Sequence, residues 1–117
     1  MEAEPVTEVT SSDVFVIIPA YNEEERIAAT VRAASALGQV LVMDDGSKDA
    51  TTRIARRTGA RVLTTRHNHG KGAALAAGVA ALPEQARYVL FLDADLEDTA
   101  ANVAPLVDAV RSGAQAR

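Results

Sequence analysis

Four short apolar runs, each followed by a stretch with helical spacing, constrain this chain more than any other feature. The runs are Val14-Phe15-Val16-Ile17-Ile18, Val40-Leu41-Val42-Met43, Arg61-Val62-Leu63-Thr64-Thr65 and Tyr88-Val89-Leu90-Phe91-Leu92. Apolar runs this short, without polar alternation, predict strands buried on both faces. The Arg61 run is less apolar and is expected nearer an edge. Pro19 is expected to end the first strand, because proline cannot donate to a ladder. Helices are predicted through Ile27, Val31, Ala34 and Leu37, over Asp49 to Thr58, through Leu75, Val79 and Leu82, and through Val103, Leu106, Val107 and Val110. Asn22 and Glu25 have capping-box spacing for the first helix. Gly38, Gly59, Pro83 and Gly113 are the expected stops. Strand and helix thus alternate four times, which predicts an α/β fold with a parallel sheet covered by helices. Right-handed crossovers favour the strand order 3-2-1-4, with the direction of winding reversing between strands 1 and 4. The 117 residues suffice for one domain with a core. Residues 1–13 are expected to be a disordered lead-in, 14–112 the domain and 113–117 a tail.

In such sheets ligands bind outside the carboxyl ends of the strands, at the reversal. Strand 1 ends in Tyr21 and Glu23, strand 2 in Asp44 and Asp45, and strand 4 in Asp93-Ala94-Asp95 with Glu97 and Asp98 close behind. Taken alone, Asp93-Ala94-Asp95 reads more readily as turn and cap chemistry, and Asp44-Asp45-Gly46-Ser47 can be only a tight turn. Together they fall on one rim, and that tips the balance towards a site. Closely spaced carboxylates repel unless a cation lies among them, and a hard divalent cation takes oxygen ligands and leaves room for phosphate. Gly70-Lys71-Gly72 opens the third helix, where backbone N–H groups and the Lys71 ammonium suit an anion such as a diphosphate. A carboxylate after strand 2 can fix a nucleoside through a ring N–H or a ribose hydroxyl. Gly46 beside it would let a base approach the backbone. Tyr21 is either a core aromatic or a platform for that base. Of the three consecutive glutamates only Glu23 is singled out, since Glu24 and Glu25 are explained by the first turn of a helix.

Several functions are excluded. With no cysteine there are neither disulfides nor thiolate metal sites. A net charge of −4 and few aromatics argue against nucleic-acid binding. Residues 1–12 are polar and acidic, unlike a signal peptide or anchor, and a cytoplasmic location, peripheral to the membrane, is expected. His67 and His69 read as surface loop residues, not a zinc site. The loop before Lys71 is not a Walker A sequence, and residues 93–104 do not form an EF-hand loop.

Pro19-Ala20-Tyr21-Asn22-Glu23-Glu24, Asp44-Asp45-Gly46-Ser47-x-Asp49-x-Thr51, Asn68-x-Gly70-Lys71-Gly72 and Asp93-Ala94-Asp95-Leu96, taken in order, resemble the family 2 glycosyltransferases. The polyprenyl-phosphate (dolichyl-phosphate) mannosyl- and glucosyltransferases look most similar, and glucosyl-3-phosphoglycerate synthases more distantly so. The resemblance implies a Rossmann-like GT-A fold with three α/β/α layers, a nucleotide-diphospho-sugar donor, and Mg²⁺ or Mn²⁺. It implies that Pro19, Tyr21, Glu23, Asp45, Lys71, Asp93 and Ala94 hold the nucleotide, and that Asp93, Asp95 and Glu97 hold the metal, with Glu97 where relatives often carry glutamine. A polyprenyl phosphate acceptor at the membrane face is also implied. In that family further sequence supplies the acceptor contacts and, in inverting members, the general base, so no such base is assigned within this chain. The outer edge of strand 4 is then expected to lie unpaired unless a C-terminal half or a second copy covers it. A non-catalytic nucleotide-binding or assembly module is the rival reading. A phosphorylation-type receiver is a weaker third, since it leaves Tyr21 and Lys71 without a role.

Overall fold

The computed structural model describes residues 13–112; the expected lead-in before Asp13 and the tail with Gly113 lie outside them. The elements are β1 (Val14–Ala20), α1 (Ile27–Ser35), β2 (Gln39–Asp44), α2 (Thr51–Arg57), β3 (Arg61–Thr64), α3 (Lys71–Ala80), β4 (Tyr88–Phe91), a 3₁₀ segment (Glu97–Val103) and α4 (Ala104–Arg111). All strand pairs are parallel and the sheet order is β3-β2-β1-β4, as expected. One row across the sheet reads Arg61, Leu41, Ile17 and Phe91.

Alternate residues of β1 serve opposite faces, as the strand period of two requires. Val14, Val16 and Ile18 join Ile27, Val31 and Ala34 of α1, Ala55 of α2 and Val107 of α4 in one core. Ile17, Leu41 and Met43 meet Ala74 and Leu75 of α3 on the other. Winding from β1 to β3 therefore runs over one face, and the return to β4 runs over the other. Ile17, Ile18, Ile27 and Leu41 are almost fully buried, each contributing about 1.5–3 kcal/mol.

Several sequence expectations need correction. β1 continues through Pro19, which pairs in register with Met43. Ile17 turns its carbonyl to the β4 side, where it accepts from Leu92 N–H at 3.1 Å, and Pro19, two residues on, faces the same way. β4 ends at Phe91, opposite Ile17, so the missing proline N–H costs no ladder bond. Asp13 belongs to the fold, since its carbonyl accepts from Arg87 N–H at 3.0 Å.

β4 is not buried on both faces: Val89 is 41% and Phe91 50% exposed. α3 lies over β1 and β2, and β4 is the sheet edge, so one side of it stays open. The fourth helical stretch splits into a 3₁₀ segment and α4, with Pro105 in the first turn of α4, and Leu106 and Val110 remain exposed. Gly38 follows α1 but is not needed for backbone freedom, because its φ is not positive. A Cβ there would lie 2.3 Å from the Val14 carbonyl oxygen; the close approach of the two strands' starts excludes a side chain.

Candidate functional site

The loop after β1 is laced to the loop after β2. Asn22 takes a left-handed φ of 54°. Its N–H donates to Ser47 Oγ at 2.9 Å, and its Oδ1 accepts from Lys48 N–H at 2.8 Å. Glu23 N–H donates to Thr51 Oγ1 at 2.8 Å, and Glu24 Oε1 accepts from Ala50 N–H at 3.0 Å. The capping box expected of Asn22 and Glu25 is therefore absent: α1 starts only at Ile27, its first turn holds no acid, and the Asn22 and Glu24 side chains serve the neighbouring loop instead. Asp49 closes the same lacing by accepting from Thr51 N–H at 2.9 Å and from the Thr51 hydroxyl. Burial pushes the Asp49 carboxyl up, but the Thr51 hydroxyl and the backbone N–H groups of Thr51 and Glu24 outweigh it and hold the group below its ordinary value.

The loop after β4 is held from α1. Thr30 is fully buried; its hydroxyl donates to the Ala94 carbonyl at 2.7 Å and accepts from Glu97 N–H at 2.8 Å. One hydroxyl thus grips the Asp93-Ala94-Asp95 turn from within. Nothing in the sequence pointed to Thr30, whose partners in that turn lie more than sixty positions away.

The paired aspartates after β2 divide their work. Asp44 is 2% exposed and faces inward, accepting from the hydroxyls of Thr52 at 2.5 Å and Thr64 at 2.6 Å. Asp45, 6% exposed, accepts from His69 N–H at 2.9 Å and Gly70 N–H at 2.8 Å. Gly46, at φ 78°, lies so near the next loop that a Cβ would come within 2.7 Å of His67 C. The space that was expected to admit a base at Gly46 is filled by the protein's own backbone. His67 and His69 are both exposed and lie edge to face.

These loops enclose a cleft of about 490 Å³, within the usual range for a small-molecule site. Pro19 and Ala20 line it from the end of β1, Tyr21 and Glu23 from the loop after it, Asp45 from just past β2, Gly70 and Lys71 from the start of α3, and Asp93, Ala94 and Asp95 from the loop after β4; Asn68 and Ala74 complete the wall. Tyr21 is 42% exposed and is not a core residue. The Lys71 ammonium is paired with the Asp93 carboxylate across the cleft. Arg26 holds Glu23 Oε1 through Nε at 3.0 Å and Nη2 at 2.9 Å. The hydrogen bond to Glu23, then its charge, and more weakly Asp95 and Glu97, hold Arg26 above its ordinary pKa against a small desolvation.

Glu97, expected as a third metal ligand, is not in the cleft wall. Thr30 holds its backbone N–H, and the chain turns there with φ 53° into the 3₁₀ segment. Among the described residues no three acidic or histidine side chains gather into a metal cage. Asp93 and Asp95 are nonetheless hard oxygen donors on the wall of an open cleft, the donor type that a Mg²⁺- or Mn²⁺-type ion takes together with phosphate oxygens and water. No helix among the described residues is long and apolar enough to cross a membrane.

Comparison with known proteins agrees with this geometry. The family model for glycosyl transferase family 2 matches residues 15–116. The chain is 36% identical over 104 residues to the dolichyl-phosphate beta-glucosyltransferase of Drosophila melanogaster, covering 73% of this chain and 31% of that one. It is 32% identical over 113 residues to the undecaprenyl-phosphate 4-deoxy-4-formamido-L-arabinose transferase of Edwardsiella ictaluri, covering 86% of this chain and 34% of that one. Glucosyl-3-phosphoglycerate synthase of Mycobacterium tuberculosis, solved with Mn²⁺, uridine-diphosphate-glucose and phosphoglyceric acid, superposes with a TM-score of 0.74 at 30% identity, over 87% of this chain and 40% of that one. The chain thus spans less than half the length of these relatives. The fold is the Rossmann-like GT-A arrangement, and the chain belongs to glycosyl transferase family 2.

Proposed function

We propose that this chain is the donor-binding half of a metal-dependent hexosyltransferase. It takes a nucleotide-diphospho-sugar and serves transfer to a phosphate-bearing acceptor, such as polyprenyl phosphate at the cytoplasmic face of a membrane. The observation that carries this reading is the single cleft lined from three strand ends and the start of α3 by Tyr21, Asp45, Lys71 and Asp95. The relatives add support: their names specify dolichyl and undecaprenyl phosphate, and a related structure holds Mn²⁺, a uridine-diphospho-sugar and a phosphate-bearing acid.

In this reading Pro19, Tyr21, Glu23 and Asp45 receive the nucleoside, with the exposed Tyr21 ring as a stacking face. Lys71 and the N–H groups opening α3 meet the diphosphate. Asp93 reaches the ribose or the metal, the Ala94 backbone borders the nucleotide, and Asp95 is the principal metal ligand. A bound Mg²⁺ or Mn²⁺ supplies charge neutralisation for the departing nucleoside diphosphate. Arg26 keeps the Glu23 carboxylate fixed at the wall. Titration calorimetry with UDP and GDP, each with Mn²⁺, tests the reading. Metal-dependent binding that is lost in Asp95→Ala is expected; no binding by the wild type, or binding indifferent to Asp95→Ala, defeats it. A radiolabelled-donor assay tells whether the chain transfers sugar alone.

Among the described residues β4 is the outer strand of the sheet, and its Val89 and Phe91 are exposed on the face that α3 leaves uncovered, which favours a second reading: a non-catalytic nucleotide-binding or assembly module whose partner packs at this edge. A monodisperse monomer in light scattering, still binding nucleotide at full affinity, would count against it.

A further inference from the structure

We propose that Asp45 is a positioning residue for Lys71, so that the carboxylate on the nucleoside side of the cleft governs the diphosphate side. This rests on the reading above that Lys71 holds the diphosphate. Asp45 has both oxygens engaged by its own protein. Oδ1 accepts from His69 N–H at 2.9 Å and Oδ2 from Gly70 N–H at 2.8 Å. A third contact, from Thr65 Oγ1 at 3.5 Å, is weak, because the single proton of that hydroxyl goes to the His67 carbonyl at 2.8 Å. Two charge-assisted bonds to consecutive backbone N–H groups form a two-point clamp.

What the clamp holds is the approach to α3. Gly70 sits at φ 97° directly before Lys71, and its carbonyl accepts from Ala74 N–H at 3.1 Å as the helix starts. Lys71 is the first residue of α3 and reaches Asp93 from there. Gly46 presses the same loop from beneath, with no room for a Cβ between it and His67 or Asn68. The position of the Lys71 Cα is therefore set by the β2 end, one residue beyond the clamp. A carboxylate that is 6% exposed and already doubly bonded contributes to the site first by holding this loop, and only with its remaining lone pairs by touching a ligand.

The test uses a probe that has no base. Binding of pyrophosphate with Mg²⁺ is compared in the wild type, Asp45→Asn, Lys71→Met and the double variant, beside UDP and GDP with Mg²⁺. In Asp45→Asn an amide N–H₂ faces one of the two backbone donors, so the clamp opens on one side. Pyrophosphate affinity is expected to fall by up to about tenfold, because with one charge-assisted bond gone the loop is freed and ligand binding must order it again. The same substitution in the Lys71→Met background is expected to cost almost nothing further, because both act through one ammonium. His69→Pro deletes one donor of the clamp and puts a ring Cδ where the amide hydrogen met Asp45 Oδ1, so it breaks the clamp from the loop side and leaves the Asp45 and Lys71 side chains chemically unchanged. It should lower pyrophosphate affinity as well, and it keeps the test decisive if Asp45→Asn does not fold. If Asp45 only contacts the base, pyrophosphate affinity stays at the wild-type level while UDP or GDP affinity falls. If Asp45 acts only as a nearby negative charge, pyrophosphate affinity rises. Either result, or additive losses in the double variant, overturns the positioning role while leaving the nucleotide reading intact. A wild type that binds neither pyrophosphate nor either nucleotide overturns both.

Discussion

The Lys71 ammonium meets the Asp93 carboxylate across the cleft, joining the start of α3 to the end of β4. Both side chains are more than half exposed, so the pair contributes at most about 1 kcal/mol to stability. Lys71→Met is expected to leave the urea midpoint nearly unchanged and to weaken UDP or GDP binding with Mn²⁺ about tenfold. A large loss of stability, or unchanged binding, would show that the pair serves the fold and not the cleft.

Thr30 offers a test of how the Asp93–Asp95 turn is held. Thr30→Val keeps the shape but leaves the Ala94 carbonyl and the Glu97 N–H without the hydroxyl that now joins them. A stability loss of about 1–3 kcal/mol is expected, together with weaker Mn²⁺-dependent nucleotide binding. Thr30→Ser, which restores the hydroxyl, should recover most of the binding. A Thr30→Val protein with wild-type binding would separate α1 from the site.

Asp49 carries a pH dependence. Its folded-state pKa is depressed, so its contribution is fully present above its unfolded value and is lost as pH falls through the lower folded value. Urea melts should therefore show stability dropping in strong acid, below about pH 4, with a shallower drop in Asp49→Asn. Identical acid limbs in the two proteins would assign the drop to other carboxylates.

The sheet order was legible because strand and helix periods alternate cleanly, and right-handed crossovers leave few arrangements. The cleft was legible for the same reason: topology alone brings the ends of β1, β2 and β4 to one side. What escaped depends on contacts distant in sequence. Asn22 looked like a helix cap and Glu24 like a first-turn acid, but their partners lie about 25 positions on, in the loop after β2. Gly46 looked like an opening for a base until the loop at His67 was seen to occupy it. The apolar run of β4 suggested double burial, and only its place at the sheet edge, beyond the reach of α3, shows why Val89 and Phe91 are exposed. Glu97 shared the acidic run with Asp93 and Asp95, yet the turn pinned by Thr30 takes it out of the cleft wall.

The most direct measurement is the broadening of backbone amide resonances by Mn²⁺, with and without UDP or GDP. The loops after β1, β2 and β4 and the start of α3 are expected to broaden together, at lower Mn²⁺ when nucleotide is present, and not to broaden in Asp95→Ala. Broadening centred elsewhere, such as around Glu84 or Asp108, or a pattern indifferent to nucleotide and to Asp95→Ala, would contradict a shared cation-and-diphosphate site in this cleft.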